Sequence, residues 1–425
     1  MLILVIVFIV CVIIGVPIFA TIGMATLIPM IVDGRLPLTL IPSALYTGVD
    51  NFPLIAVIGF ILAGSIMEAS DITEKIIQVA RRIAGSFTGG LAIVTILACT
   101  IFAALSGSGP ATTAAVGALA IPMMRRYNYE KNFAAGVTVS GGALGILIPP
   151  SNPMIIYAIT ANVSVAKMFA AGFIPGIFVA FILMITSFFI SKKRGFVGTK
   201  DKFSLKKVLF AIWDGRWALL TPVIILGGIY GGVFTPTEAA EVAVIYAIFV
   251  GIFIYKKLTL SKLYKAFANA SVMSATIMVI VGIAIAFGRV LTIYQVPQVV
   301  AKGIMSITTN PTIVLLLIAL ILLFVGTWME TLSQIIVLVP IFLPLVRSLG
   351  VDPIHFGIIF VLMCEIGFLT PPLGANLYVA TKIADVSLEG VSAGALPFVL
   401  AYIFCTIIII FFPGLVLWFP NILMP

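Results

Sequence analysis

The chain has 425 residues, of which 62% are hydrophobic and only 9% charged, and it carries a formal net charge of +9. So few charges cannot cover a water-soluble surface of that size, which excludes a soluble enzyme or binding domain and specifies an all-α polytopic membrane protein. The basic excess is no nucleic-acid signal, because it flanks apolar runs and forms no face interleaved with aromatics; it is the positive-inside signal. Cys11, Cys99, Cys364 and Cys405 stand singly in apolar stretches with no CxxC spacing, as small core hydrophobes do.

At the amino end, MLILVIVFIV has no basic n-region and its apolar stretch outruns a cleavable signal, so it is expected to stay as a membrane anchor. Residues 1–33 form one kinked helix or two short ones around Gly15 and Pro17. Runs such as 172–190, 219–232, 242–255 and 313–325 approach the length that crosses about 30 Å of hydrocarbon. Roughly ten or eleven spanning or half-spanning elements fit the chain. Lysine and arginine gather in 75–82, 125–131, 191–207 and 255–265, and these four loops are placed in the cytoplasm.

From those loops the path can be followed. Segment 89–106 leaves the cytoplasm, pauses at SGSGP (106–110), and 111–124 must return to reach Arg125 and Arg126. That is a re-entrant hairpin. The chain then rises through 132–148, breaks at Pro149 and Pro150, continues through 154–161 and descends through 168–190. From the loop at 255–265 the same order recurs: 266–290 goes outward, 313–325 enters, GTWMET (326–331) pauses and 332–344 returns outside. Segment 354–369 then goes inward, breaks at Pro371 and Pro372, and 375–383 completes the crossing before a last span at 392–416. Amphipathic stretches, 71–88 inside and 294–310 outside, precede the hairpins and are expected to lie in the interface plane. Two inverted repeats with interrupted helices point to a binding site at the bilayer midplane, as in secondary transporters.

Unwound backbone in a membrane is tolerated only where protein or a cavity satisfies it, since each unmet polar group costs several kcal/mol. A hard monovalent cation such as sodium answers carbonyl, hydroxyl and amide oxygens, while the amino ends of half-helices favour an anion. In the first repeat the candidate ion ligands are Ser106, Gly107, Gly145, Ile148, Ser151 and Asn152. In the second they are Gly326, Thr327, Thr331, Gly367, Thr370, Leu373 and Gly374. Ser108, Thr112, Thr113 and Asn376 are assigned to an anionic substrate in the cleft between the tips.

Against this stand blander readings. Gly and Pro kink membrane helices routinely, yet four interruptions in two inverted pairs exceed what kinking alone requires. Glu68, Glu330 and Glu365 lie near the edges or breaks of apolar spans, where an ionisable group is a functional candidate. Arg289 is read as snorkelling to the interface. Trp213 and Trp217 read as interfacial anchors, and TPTEAAE (235–241) as an external loop with Thr237 capping the next helix. An intramembrane serine protease would use Ser106 or Ser108, but the only histidine, His355, has no evident route to them. A passive channel is the other alternative; two hairpins closing opposite faces disfavour it.

SGSGPATTAA (106–115), IPPSNPMIIYA (148–158), GVFTPTEAAEVAVIYA (232–247), GTWMETLSQIIVLVPIFLP (326–344) and EIGFLTPPLGANLYVA (365–380) resemble the large, DctM-like membrane subunit of tripartite ATP-independent periplasmic (TRAP) transporters. The resemblance runs nearly end to end. It implies a sodium-driven importer of small organic anions, of the sialic acid or C4-dicarboxylate type, in the bacterial inner membrane. It also implies a soluble periplasmic binding protein, a small four-helix membrane subunit expected as a separate chain, and a transport domain that moves as an elevator against a scaffold. The chain then divides into scaffold and interfacial arm (1–88), first transport repeat (89–162), scaffold with basic loops and second arm (163–310), second transport repeat (311–385) and a carboxy-terminal transmembrane helix (386–425).

Overall fold

In the computed structural model of the chain, residues 2–34, 36–70, 72–199 and 204–424 are described. Residue 71 of the first amphipathic stretch and 200–203 of the longest basic loop lie outside the described residues. Among the described residues the regular structure is helical.

The amino end resolves into two helices, α1 (Leu2–Ile14) and α2 (Ile18–Asp33), packed on each other. The break falls where Gly15 takes φ +79° and Pro17 withholds an amide. There follow α3 (Leu40–Val49), α4 (Pro53–Ala69), α5 (Ile72–Ala84), α6 (Gly90–Ser106), α7 (Gly109–Arg126), α8 (Lys131–Gly142), α9 (Asn152–Ala161) and α10 (Val165–Arg194). Three helices bridge to the second half: α11 (Leu205–Asp214), α12 (Arg216–Tyr230) and α13 (Pro236–Phe249). The second half is α14 (Leu260–Ile293), α15 (Val296–Met305), α16 (Pro311–Gly326), α17 (Thr331–Ser348), α18 (Pro353–Phe368), α19 (Ala375–Ala384), α20 (Leu388–Phe411) and α21 (Gly414–Leu423).

The order α4–α10 is repeated by α14–α20. Each copy has a long leading helix, a short amphipathic arm, two hairpin arms, a helix broken in two and a further helix. The duplication extends to packing, for α7 lies against α19 while α17 lies against α9. Hydrogen bonds also tie the copies together. Tyr157 on α9 donates to the Pro353 carbonyl at 2.6 Å, and Tyr402 on α20 to the Ser140 carbonyl at 2.8 Å. Helices α4, α13 and α14 pack together with α2, α3 and α12 around them, and this group meets the repeats mainly through α4, α14 and the arms α5 and α15.

Five helices are long and apolar enough to cross a membrane unaided: Val165–Arg194, Pro236–Ile254, Leu260–Ile293, Thr331–Ser348 and Leu388–Phe411. Two bent pairs add up to two more spans, Leu40–Val49 with Pro53–Ala69 at 58° and Leu205–Asp214 with Arg216–Tyr230 at 68°. Hairpin arms and broken halves account for several shorter apolar helices, as a half-crossing element requires.

Two expectations are corrected. The helix beginning at Pro236 is capped by Thr235, whose hydroxyl accepts from the Glu238 amide while the Glu238 carboxylate accepts from the Thr235 amide; Thr237 lies buried inside the helix. Proline suits the first helical position because its missing N–H would be unpaired there, which moves the cap one residue upstream of it. The last span ends at Phe411 rather than at 416, since Pro413 cannot continue the helical bonding, and the short α21 follows.

Candidate functional site

The first hairpin turns in two residues. Helix α6 ends as Gly107 enters the left-handed region at φ +59°, where its amide still reaches the Ala103 carbonyl. Ser108 then takes an extended backbone and caps α7 through the Ala111 amide, with Pro110 in the first turn. Inside the turn, Ser106 Oγ and Thr112 Oγ1 are 2.6 Å apart, and Thr112 donates to the Ser108 carbonyl at 2.8 Å.

The first break meets this tip directly. A single 3-10 turn (Ala143–Ile146) ends the rising helix, the Pro149–Pro150 bond is cis, and Ser151 caps α9 while donating back to the Ile146 carbonyl. The Asn152 amide donates to the Gly107 carbonyl at 3.3 Å. Gly145 lies so close to Ser108 that a Cβ there would strike the Ser108 carbonyl. Ser106, Gly107, Gly145, Ser151 and Asn152 therefore form one buried cluster, while the Ile148 side chain faces Gly176 on α10. The Asn152 Oδ1 has no hydrogen-bond partner among the described residues.

The second repeat builds the same joint from other residues. Thr327 ends α16 and its hydroxyl donates to Phe324; its carbonyl accepts from the Leu373 amide at 2.9 Å, a strap between tip and break like the one from Asn152. Gly326 and Gly367 meet backbone to backbone, and a Cβ on Gly367 would stand 2.5 Å from the Gly326 Cα. Thr370 donates to the Ile366 carbonyl, the Pro371–Pro372 bond is cis, and Gly374 opens α19 at φ +38°. Thr331 is buried with its hydroxyl unpartnered. Glu330 caps α17, accepting from the Leu332 and Ser333 amides at 3.0 and 3.1 Å, so its carboxylate holds the turn.

The two repeats touch at a residue absent from the expected site, Glu365. Its Oε1 accepts from Asn376 Nδ2 at 2.6 Å, and a Cβ on Gly109, at the start of α7, would stand 2.6 Å from that same oxygen. Glu365 is 1% exposed, and its second oxygen and the Asn376 amide oxygen lack partners. The amino end of α7 thus faces a carboxyl–amide pair from the other repeat, an end that favours negative charge. Of the four expected substrate residues, Asn376 belongs to this junction and is fully buried, as are Thr112 and Thr113, while Ser108, the cap of α7, is half-buried. The signal that pointed to Glu365 was an ionisable group within an apolar helix.

A crevice of about 40 Å³ separates the first tip from α4 and α14, between Ser106, Ser108 and Asn152 on one side and Ile61, Glu68 and Met273 on the other. It admits an ion or a water. Arg289 on α14 donates to Thr47 on α3 at 2.9 Å. His355 is buried with Nε2 2.9 Å from the Ile409 carbonyl, so it serves as no base for Ser106, whose hydroxyl is taken by Thr112.

A family model described as "Tripartite ATP-independent periplasmic transporter, DctM component" matches residues 5–415. The chain is 40% identical to the isethionate TRAP transporter permease protein DctMQ of Oleidesulfovibrio alaskensis over 96% of its own length and 64% of that protein's. It is also 40% identical to the C4-dicarboxylate TRAP transporter large permease protein DctM of Pseudomonas aeruginosa, covering 88% of this chain and 87% of that one. Among solved structures, the Alcanivorax borkumensis YdaH transporter, described as having an unusual topology, superposes with a TM-score of 0.65 at 14% identity, covering 87% of each chain. That likeness speaks for the fold alone.

Proposed function

The chain belongs to the DctM component family of tripartite ATP-independent periplasmic transporters, and from that premise we propose that it is the large permease of a sodium-coupled importer of small organic anions in the bacterial inner membrane. The observation that carries the proposal is the pair of matching tip-and-break joints, each holding a buried oxygen that no described residue partners: Asn152 Oδ1 in one, Thr331 Oγ1 in the other. An unmet buried oxygen costs about 1–3 kcal/mol. A hard monovalent cation suits neutral carbonyl, hydroxyl and amide oxygens, and among the described residues no three His, Cys, Asp or Glu side chains gather as a typical divalent-metal site would have them. The residues that would hold sodium are the expected sets around Ser106, Gly107, Ser151 and Asn152, and around Thr327, Thr331, Thr370 and Leu373. Sodium, when bound, supplies the positive charge and the downhill gradient.

The substrate class follows from the junction between the tips. Two relatives of equal identity are named for isethionate and for C4-dicarboxylates, so overall identity does not select the solute. What these solutes share with sialic acid is a small anion bearing hydrogen-bonding oxygens, which suits the amino end of α7 together with Ser108 and Asn376. In this conformation the tip crevice is too small for such an acid, so loading requires the tip to part from α4 and α14. The direct bonding of repeat to repeat supports their moving as one body, as an elevator does. A periplasmic binding protein delivers the solute and a small four-helix subunit steadies the scaffold.

Coupling is reciprocal, which supplies the test. In proteoliposomes containing all three components, an imposed substrate gradient is expected to drive labelled sodium inward against its own gradient. Substrate entry that moves no sodium, or that only equilibrates, would overturn the reading and leave a uniporter or a passive channel.

A further inference from the structure

We propose that Arg289 anchors the anionic solute in an outer cavity before it reaches the hairpin tips, an assignment that rests on the anion-importer reading above. The cavity has a volume of about 560 Å³, and its walls are α14, α3 with the start of α4, α9 and α17. The basic stretch 255–265 sets the start of α14 in the cytoplasm, and Arg289 stands about 40 Å of helix beyond Leu260, at the far end. The floor points to the ion joints. Ile156 follows Asn152 by about one helical turn and Ile336 follows Thr331 by about one and a half, so the cavity ends roughly 6–8 Å of helix outside the two unpartnered oxygens. Along the same α4 and α14 wall the inner crevice holds about 40 Å³, so a small organic acid fits the outer space and not the inner one.

The second observation is chemical. Asn51, Thr160, Arg289 and Thr292 are the polar members of the lining, and aliphatic residues, glycine and proline make up the rest. Among the described residues no carboxylate lines the cavity or pairs with Arg289. The Thr47 hydroxyl accepts from one guanidinium nitrogen at 2.9 Å while donating to the Ser43 carbonyl at 2.9 Å, which fixes the arginine by one corner. A guanidinium carries five N–H donors in a fixed fork, so the others remain for a carboxylate or a sulfonate. Apolar walls focus the field of such a charge and raise the arrival rate of counter-ions by about 10–1000-fold. A cation at the outer end also runs against the positive-inside bias of the chain, so membrane orientation does not account for it.

The test is thiol protection in the purified chain, which needs no transport. The native cysteines are all buried and Thr292 is exposed one turn beyond Arg289, so T292C puts one accessible thiol in the cavity; I307C, exposed and outside it, is the control. Isethionate, succinate and sialic acid are the probes, and at least one is expected to slow labelling of T292C by a neutral maleimide about fivefold without slowing that of I307C. T292C/R289K is expected to keep the protection and T292C/R289Q to lose it. In proteoliposomes with both partners, R289Q is expected to cut uptake at limiting solute about tenfold and to leave the sodium dependence unchanged. Protection that survives in T292C/R289Q would overturn the role of Arg289, as would protection by none of the three anions. Protection by phosphatidylglycerol micelles and by no soluble anion would assign the cavity to a lipid and overturn it as well. Arginine-dependent protection without sodium-driven uptake in the unsubstituted protein would uphold the anion site and fail the importer reading, whereas sodium-driven uptake without protection would fail the site alone.

Discussion

Gly367 shows how little room the site allows, because its Cα side faces the Gly326 backbone with no space for a methyl group. Gly367→Ala is expected to cost about 1–3 kcal/mol by prising the second tip from its break, read as a lower unfolding temperature in detergent and reduced uptake. Gly227→Ala, where an added Cβ meets nothing within 4 Å, is expected to change neither. The ion ligands make a separate claim. Asn152→Ala and Thr370→Val are expected to raise the sodium concentration for half-maximal uptake roughly tenfold or more while insertion is retained. Unchanged sodium dependence in both variants would refute the assignment. Most of these residues were legible because glycine, paired prolines and hydroxyls punctuated otherwise apolar runs. Glu365 was visible only as an anomaly: its partner Asn376 is on the far side of a break, and the Gly109 contact comes from the other repeat. A contact spanning that much sequence leaves no local pattern.

The hairpins and broken helices could be read from sequence for a different reason, namely that clusters of lysine and arginine fix where the chain must be between interruptions. What that reading lacked was packing. Nothing in the amphipathic pattern of 71–88 indicated that α5 would lie on α6, or in 294–310 that α15 would lie on α17, because side-by-side choices depend on shape rather than on periodicity. The cap at Thr235 instead of Thr237 and the end at Phe411 instead of 416 were errors of two and five residues, at helix ends where local rules compete. The elevator reading makes its own demand on the elements. A Cβ at Gly288 on α14 would lie 3.9 Å from the Pro340 Cγ on α17, so cysteines at the two positions would face each other across the contact between α14 and the hairpin. In G288C/P340C, oxidation is expected to stop uptake and reduction to restore it; the native cysteines are all buried. Gly23 and Ile283, both within the scaffold and 3.8 Å apart by the same measure, provide the control, and G23C/I283C is expected to transport when oxidised. Full uptake with the first pair completely cross-linked would replace an elevator by local gating.

For the assembled transporter, the repeats bonded to one another and resting on a separate helical group suit a machine whose partners bias which face is open. A loaded binding protein favours the outward-open state only by binding it better than the inward-open one. Each sodium entering with the membrane potential contributes about 2.3 kcal/mol per 100 mV, close to a fiftyfold concentration ratio, so the account demands accumulation that no equilibrating pore can reach. The most direct measurement is uptake of labelled C4-dicarboxylate, sialic acid and isethionate into proteoliposomes under an inward sodium gradient, with the binding protein and small subunit added singly and together. Concentrative uptake of at least one of these anions is expected with both partners and sodium present, and little or none from the chain alone or with potassium in place of sodium. Equal accumulation in potassium, or robust concentrative uptake by the isolated chain, would contradict it.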